Sequence, residues 1–353
     1  MDKIRIQGKA DLRGLINIPG SKNAALPILV ASLLNKENLL IKNIPDLQDV
    51  KSMIKLLESF GVNISKNKND LILNASKIKN NIADYDLVRK MRASILVLGP
   101  LLARFKEATI SLPGGCAIGT RPIDIHLDSL SKLGVNFQID NGYVRGLVKD
   151  ELKGAIINLP FPSVGATENI IMAASLAKGI TLINNAAKEP EIIDLLKALN
   201  AMGAKISLSG SNCIKIEGVD SLKEAEHIIM FDRIVAGTYI LAGVMLNKKF
   251  TINNIDPTFL NSLVDALLRM KANLDIKKSS ITTMPSKEII GTDIETAPYP
   301  GFPTDLQAQI MALMCIAKGK SQINEKIFEN RFMHVAELNR LGANIKIKND
   351  IAY

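Results

Sequence analysis

EIIDLLKALNAMGAKI, running from Glu191 to Ile206, places apolar side chains at 192, 195, 196, 199 and 202. That is the spacing of one face of a helix. Gly203 then stands where a helix stops in a left-handed residue, ahead of a strand-like tail. The same pattern recurs at Asp49 to Ile64, Ile125 to Phe137, Phe259 to Ile276 and His334 to Ile347. The stops are Gly61, Gly134, Gly203 and Gly342, with Lys271 in the fourth copy, so successive steps are 73, 69, 68 and 71 residues. A second, more uniformly apolar helix is predicted ahead of each: Asn23 to Leu34, Met91 to Phe105, Ala166 to Ala177, Ile234 to Leu246 and Thr304 to Ala317. Each leads into a short strand: Asn38 to Ile44, Ala108 to Leu112, Ile180 to Asn184, Phe250 to Ile255 and Gly319 to Ile323. Helices apolar nearly all round are expected to be buried. A period near 70 residues is too long for a thin solenoid of 20–45-residue units. The expectation is an α/β fold in which helix–strand–helix–strand repeats pack around buried helices, with sheets outside. The fifth repeat stops at Tyr353 without a sixth helix pair, and five repeats do not divide into two equal domains.

The length of 353 residues suits roughly two domains. Apolar content of 47% with 22% charged residues excludes a disordered chain. The formal net charge of +9 comes mainly from lysine, since only 11 of the 44 basic residues are arginine. A basic surface helps recruit anionic ligands. Nucleic acid is disfavoured, because there is no dense Lys/Arg run, no tryptophan and only 4% aromatic residues. The three cysteines, Cys116, Cys213 and Cys315, show no paired spacing, so no disulfide framework or metal site is expected. Cys213 and Cys315 read as core residues. Asp2, Lys3 and Arg5 do not suit a signal peptide, and no apolar run reaches the ~20 residues that cross a bilayer. The reading is a cytoplasmic protein with no membrane partner.

Cys116 differs. Pro113-Gly114-Gly115-Cys116-Ala117-Ile118-Gly119-Thr120-Arg121-Pro122 puts a thiol in a glycine-rich loop between a strand-like run and a helix. Glycines let backbone N–H groups approach an anion, and a following helix start adds partial positive charge. A thiol in such a field forms thiolate more easily. Gly114 and Gly119 also have the spacing of the NTPase phosphate loop, but Thr120-Arg121-Pro122 replaces its Lys-Ser/Thr. That argues against an NTPase.

Lys22 and Arg92 begin apolar helices, where a cation opposes the helix dipole unless an anion binds there. With Arg121 they could converge on one anionic ligand, although each alone is equally explained by solvent or a surface ion pair. Asp305 opens the fifth inner helix as a favourable first-turn acid, and it also suits a general base beside a hydroxyl. Arg331 lies in the polar loop Phe328 to His334 as a further candidate anion ligand. Asp232-Arg233 holds the matching position in the fourth repeat. His126, His227 and His334 share no spacing, and none reads as catalytic.

These segments together resemble the UDP-N-acetylglucosamine 1-carboxyvinyltransferase family of enolpyruvyl transferases. The resemblance is carried by Pro113 to Pro122, by Gly20-Ser21-Lys22-Asn23-Ala24-Ala25-Leu26-Pro27 and by Ser163-Val164-Gly165-Ala166-Thr167. Phe302-Pro303-Thr304-Asp305 and Glu329-Asn330-Arg331-Phe332 complete it, and it runs in order along the whole chain. The related shikimate-pathway transferase is a poorer match, lacking the cysteine loop. The resemblance implies a two-domain inside-out α/β barrel of repeated units, with the final unit missing here. One domain would span residues 22–230, the other residues 1–21 plus 231–353. It implies transfer of the enolpyruvyl group of phosphoenolpyruvate to the 3′-hydroxyl of UDP-N-acetylglucosamine, the first committed step of peptidoglycan synthesis, with no cofactor or metal. Lys22, Arg92 and Arg121 would bind anions, and Asn23 would position substrate. Cys116 would act as acid or capture substrate covalently, and Asp305 would take the sugar hydroxyl proton. Arg121, Pro122, Ile123, Asp124 and Ile125 would hold the uridine end, while Phe161, Pro162, Ser163, Val164 and Ile327 would line the UDP-sugar site. Three departures stand out: Val235 replaces the family's glutamate, Lys271 replaces a helix-ending glycine, and the sixth repeat, with further phosphoenolpyruvate ligands, is not in this chain. An impaired protein that still binds the UDP-sugar is the alternative. Oligomeric state is not legible.

Overall fold

The computed structural model of the protein describes residues 5–8, 13–89, 91–112, 123–210 and 212–353. Among these, the repeat appears as five four-stranded sheets. In each, an antiparallel hairpin joins a central strand that pairs parallel with a fourth. In the first, Asn38–Lys42 pairs antiparallel with Asp70–Asn74 and parallel with Ala225–Ile228. Leu39 and Ile41 point inward while Asn38 is exposed, the alternation of a sheet with one wet face.

The chain divides into two compact bodies. Pro19–Asp232 holds three of the sheets; Arg233–Tyr353, with the segment up to Ile18, holds two. In the three-sheet body the expected inner helices are Lys22–Ala31 and Val164–Ala174, with Ala24 to Ala31 and Ala166 to Ala174 buried. Gly61, Gly134, Gly203 and Gly342 all take φ between 98° and 104°. Lys271 takes φ 63°, so the fourth repeat uses the same left-handed stop without glycine, at a cost of about 1 kcal/mol.

Three expectations are corrected. The helix predicted over Met91 to Phe105 is a 3-10 segment, Arg92–Val97, followed by an α-helix, Leu98–Phe105. The side chain of Asn169 causes the break: its Nδ2 donates to Ile95 O at 2.9 Å and its Oδ1 accepts from Gly99 N at 2.7 Å. Those two backbone groups would bond each other in an unbroken α-helix, so the amide has inserted into the ladder. Thr304 to Ala317 likewise opens with a 3-10 turn, Thr304–Leu306, before the helix Gln307–Met314. The cysteines expected in the core are not there, since Cys213 is half-buried and Cys315 is exposed. Cys315 caps the helix Gln307–Met314, which packs against Arg233–Met245, and the adjacent Ile316 is exposed as well. No described helix is long and apolar enough to cross a membrane.

Candidate functional site

In the three-sheet body, Lys22 sits on the first turn of its helix with its N-terminus already met by acids. The Ser21 hydroxyl accepts from Ala24 N, and the Asp232 carboxylate accepts from the N–H of Lys22 at 3.1 Å. The Lys22 ammonium pairs with Asp49 at 3.2 Å, both side chains 40% exposed. These carboxylates offset the unfavourable placement of a cation at a helix start. An ion pair this exposed contributes little to stability, so an arriving anion can take the ammonium. Asn23, next along, is half-buried.

A second cluster forms around His126, on the helix Asp124–Lys132. Its Nδ1 lies 3.0 Å from Asn169 Nδ2. Since Asn169 Oδ1 is occupied by Gly99 N, the amide nitrogen must donate, which puts the imidazole proton on Nε2. Burial, then the positive charge of Arg92, lowers the His126 pKa to about 4, so the ring is neutral at pH 7. Gly165 faces this ring closely enough that a Cβ there would lie 3.3 Å from its Cε1. One neutral ring thus brings together the start of the Arg92 segment, the turn carrying Asp124 and Ile125, and the start of the helix behind Phe161, Pro162, Ser163 and Val164. Ile123 is buried, Asp124 and Phe161 are exposed, and Ile125, Pro162 and Val164 are half-buried. Ser163 caps its helix by accepting from Ala166 N at 3.4 Å. The segment with Arg92 at its head packs against the helix that Lys22 opens.

This arrangement has a pH consequence. Above pH 6.5 His126 is neutral in both folded and unfolded chains. As pH falls from 6.5 towards 4, the unfolded chain takes up a proton that the folded one resists, removing up to roughly 3 kcal/mol of stability. Glu168, buried beside Glu191 and Glu189, is pushed well above the usual carboxylate range and acts oppositely, destabilising the fold as pH rises past 4.5. The two separate by comparison. On going from pH 7 to 4.5, the urea midpoint of His126→Gln will rise relative to that of the wild type, because the Glu168 contribution is common to both.

In the two-sheet body, Asp305 occupies the 3-10 turn and Arg331 comes from the loop after the strand Gln322–Asn324. Arg331 Nη2 donates to Asp305 Oδ1 at 2.8 Å and to Thr304 O at 3.3 Å, with its guanidinium 5.6 Å from the Phe328 ring centre. The Asp305 side chain is 44% exposed and that of Arg331 18%. Arg331, expected to hold a ligand anion, is engaged by Asp305. A carboxylate fixed by a buried-side guanidinium, yet reachable from outside, is suited to accept a proton from a ligand hydroxyl. Ile327, half-buried, lies on the same loop.

The structure therefore groups Arg92 with Asp124, Ile125, Ser163 and Val164, and separately Asp305 with Ile327 and Arg331. Cys116, Arg121 and Pro122 lie outside the described residues. The sequence reading missed Asp49 as the partner of Lys22, Asp232 as the acceptor at that helix start, and Asn169 altogether, and it named His126 without giving it a role. A signal existed only for Asp232, which was named with Arg233 for its place in the fourth repeat.

Comparison with known proteins follows the same lines. The family model described as EPSP synthase (3-phosphoshikimate 1-carboxyvinyltransferase) matches residues 6–353. The chain is 51% identical over 352 residues to the UDP-N-acetylglucosamine 1-carboxyvinyltransferase of Pelagibacter ubique, covering 100% of this chain and 84% of that protein. It is 49% identical over 355 residues to the Helicobacter pylori protein of the same name, again covering 100% and 84%. Among solved structures, the enolpyruvyl transferase NikO from Streptomyces tendae superposes with a TM-score of 0.89 at 22% identity, over 98% of this chain and 82% of that one. EPSP synthase from Acinetobacter baumannii gives 0.73 at 17% identity, over 98% and 82%.

Proposed function

Because this chain belongs to the EPSP synthase (3-phosphoshikimate 1-carboxyvinyltransferase) family, we infer that it is an enolpyruvyl transferase acting on UDP-N-acetylglucosamine. The observation that carries this reading is the 51% identity along the whole chain to an enzyme named for that reaction. In it, the sugar 3′ oxygen bonds to C2 of phosphoenolpyruvate as C3 gains a proton. Loss of a C3 proton and departure of phosphate then restore the enol ether. The product commits the sugar nucleotide to peptidoglycan, and both substrates belong to the cytoplasm.

The residues suit these demands. Lys22, Arg92 and Arg121 supply positive charge to the phosphate and carboxylate of one substrate and the diphosphate of the other, and Asn23 positions the reacting groups. Cys116 delivers the proton to C3 or captures C2. Asp305, held by Arg331, removes the 3′-hydroxyl proton. Arg121, Pro122, Ile123, Asp124 and Ile125 hold the uridine end, while Phe161, Pro162, Ser163, Val164 and Ile327 line the UDP-sugar site. No cofactor is needed, since fixed cations stabilise the developing charge.

Phosphate release from phosphoenolpyruvate tests this. It will require UDP-N-acetylglucosamine and fall at least a hundredfold in Cys116→Ser. Folded protein that releases no phosphate with both substrates present would overturn the reading. UDP-sugar binding without turnover would replace it with a binding protein.

A further inference from the structure

Glu325 is a buried carboxylate, 4% exposed, at the end of the strand Gln322–Asn324. Neither the motifs nor the proposed chemistry uses it. Its Oε1 accepts from the Thr296 hydroxyl at 2.8 Å, from Ile327 N at 2.9 Å and from Phe328 N at 3.2 Å. Its Oε2 accepts from the Thr304 hydroxyl at 2.9 Å. Thr296 in turn accepts from Lys326 N at 2.9 Å. One side chain therefore fastens the turn that presents Asp305 to the loop that presents Ile327 and Phe328. That loop returns through Arg331, which lies over Phe328 and donates to both Thr304 O and Asp305. The bonds close a ring from Glu325 through Thr304 and Asp305 to Arg331 and back through Phe328.

We propose that Glu325 is a positioning residue for the transferase reaction, setting the Asp305–Arg331 pair and the Ile327 backbone in one geometry. The physical case is the number and kind of bonds. Hydrogen bonds to an ionised acceptor are about twice as strong as neutral ones, and a buried carboxylate is retained only when fully paired. Four such bonds join three stretches of backbone at a site where 1 Å of misplacement can cost 100-fold in rate. The role as positioner of a proton acceptor rests on the transferase reading; the clamp itself does not.

Two variants and two readouts separate these. Thr304→Val removes only the Glu325 bond to the Asp305 turn and leaves those of Arg331. It will lower kcat tenfold or more while KM for UDP-N-acetylglucosamine stays within twofold. Glu325→Ala also frees the Ile327 and Phe328 amides, so it will lower kcat and raise that KM, and Glu325→Gln, which keeps the Oε1 bonds and whose Nε2 can donate to the Thr304 hydroxyl oxygen, will recover most of the loss. A residue that only stabilised the fold would lower Tm and leave the kcat of folded protein unchanged. That result in both variants would overturn the proposal. Hydrogen exchange over 302–306 and 325–332 is read in parallel without substrate. Faster exchange in Glu325→Ala supports the clamp, and unchanged exchange overturns it. If the wild type shows no turnover, the transferase reading fails while hydrogen exchange still decides the clamp.

Discussion

Asp305→Asn lowers kcat by about 10²–10⁴-fold, the range for losing a positioned general base, while the protein folds as before. The substitution is nearly isosteric. The amide oxygen still accepts from Arg331, whose nitrogen lies 2.8 Å from Oδ1, so the turn and the Phe328 loop keep their relation. What disappears is negative charge and basicity at a group 44% exposed to an arriving ligand. Binding of UDP-N-acetylglucosamine should change only a few-fold, since an asparagine can still accept the sugar hydroxyl. Steady-state phosphate release with calorimetric binding of the sugar nucleotide reads both quantities. Retention of more than a tenth of kcat would show that another group takes the proton.

The second large effect falls on stability. Asn169→Leu removes a side chain that is wholly buried and satisfies three groups at once: Ile95 O, Gly99 N and His126 Nδ1. Each buried group left unpaired costs about 1–3 kcal/mol. The ladder cannot simply close behind the lost amide, because the segment before Leu98 is wound as a 3-10 helix. The expected loss is about 3–5 kcal/mol, read as a shift in the urea midpoint at unchanged slope. A shift below 1 kcal/mol would mean that the backbone rewinds into one α-helix and pairs Ile95 with Gly99 itself. Arg92 heads this segment, so the variant should also weaken sugar-nucleotide binding.

Asn169 also shows where reading a sequence stops. The repeats were legible because apolar spacing and helix-stopping glycines are local signals, each visible within one repeat. Even Lys271 fits, since position in the repeat, rather than residue type, imposes its left-handed φ of 63°. The motifs around Lys22, Ser163 and Asp305 were legible for the same reason, being short runs at helix starts. What pairs with them was not. Asp232 reaches the Lys22 N–H across 210 residues of chain, and Asn169 breaks a helix 70 residues earlier. His126 carried no spacing signal because its hydrogen-bond partner, Asn169, lies in the next repeat. Cys315 read as core because its helix is apolar, while its exposure depends on which neighbours pack against it.

The parallel pairing of Asn38–Lys42 with Ala225–Ile228 bears on how the chain is made. The first sheet cannot be completed until its last strand leaves the ribosome about 190 residues later, roughly 10–40 s at ordinary elongation rates. For that interval the nascent chain carries an open strand edge, the kind of surface that recruits stray strands or chaperones. Leu15–Asn17 waits longer still, for Phe250–Asn253. Slow translation at the codons after Ile228 would give the early repeats time to close before the remainder of the other body, from Arg233 on, emerges, whereas fast expression would crowd unfinished edges together.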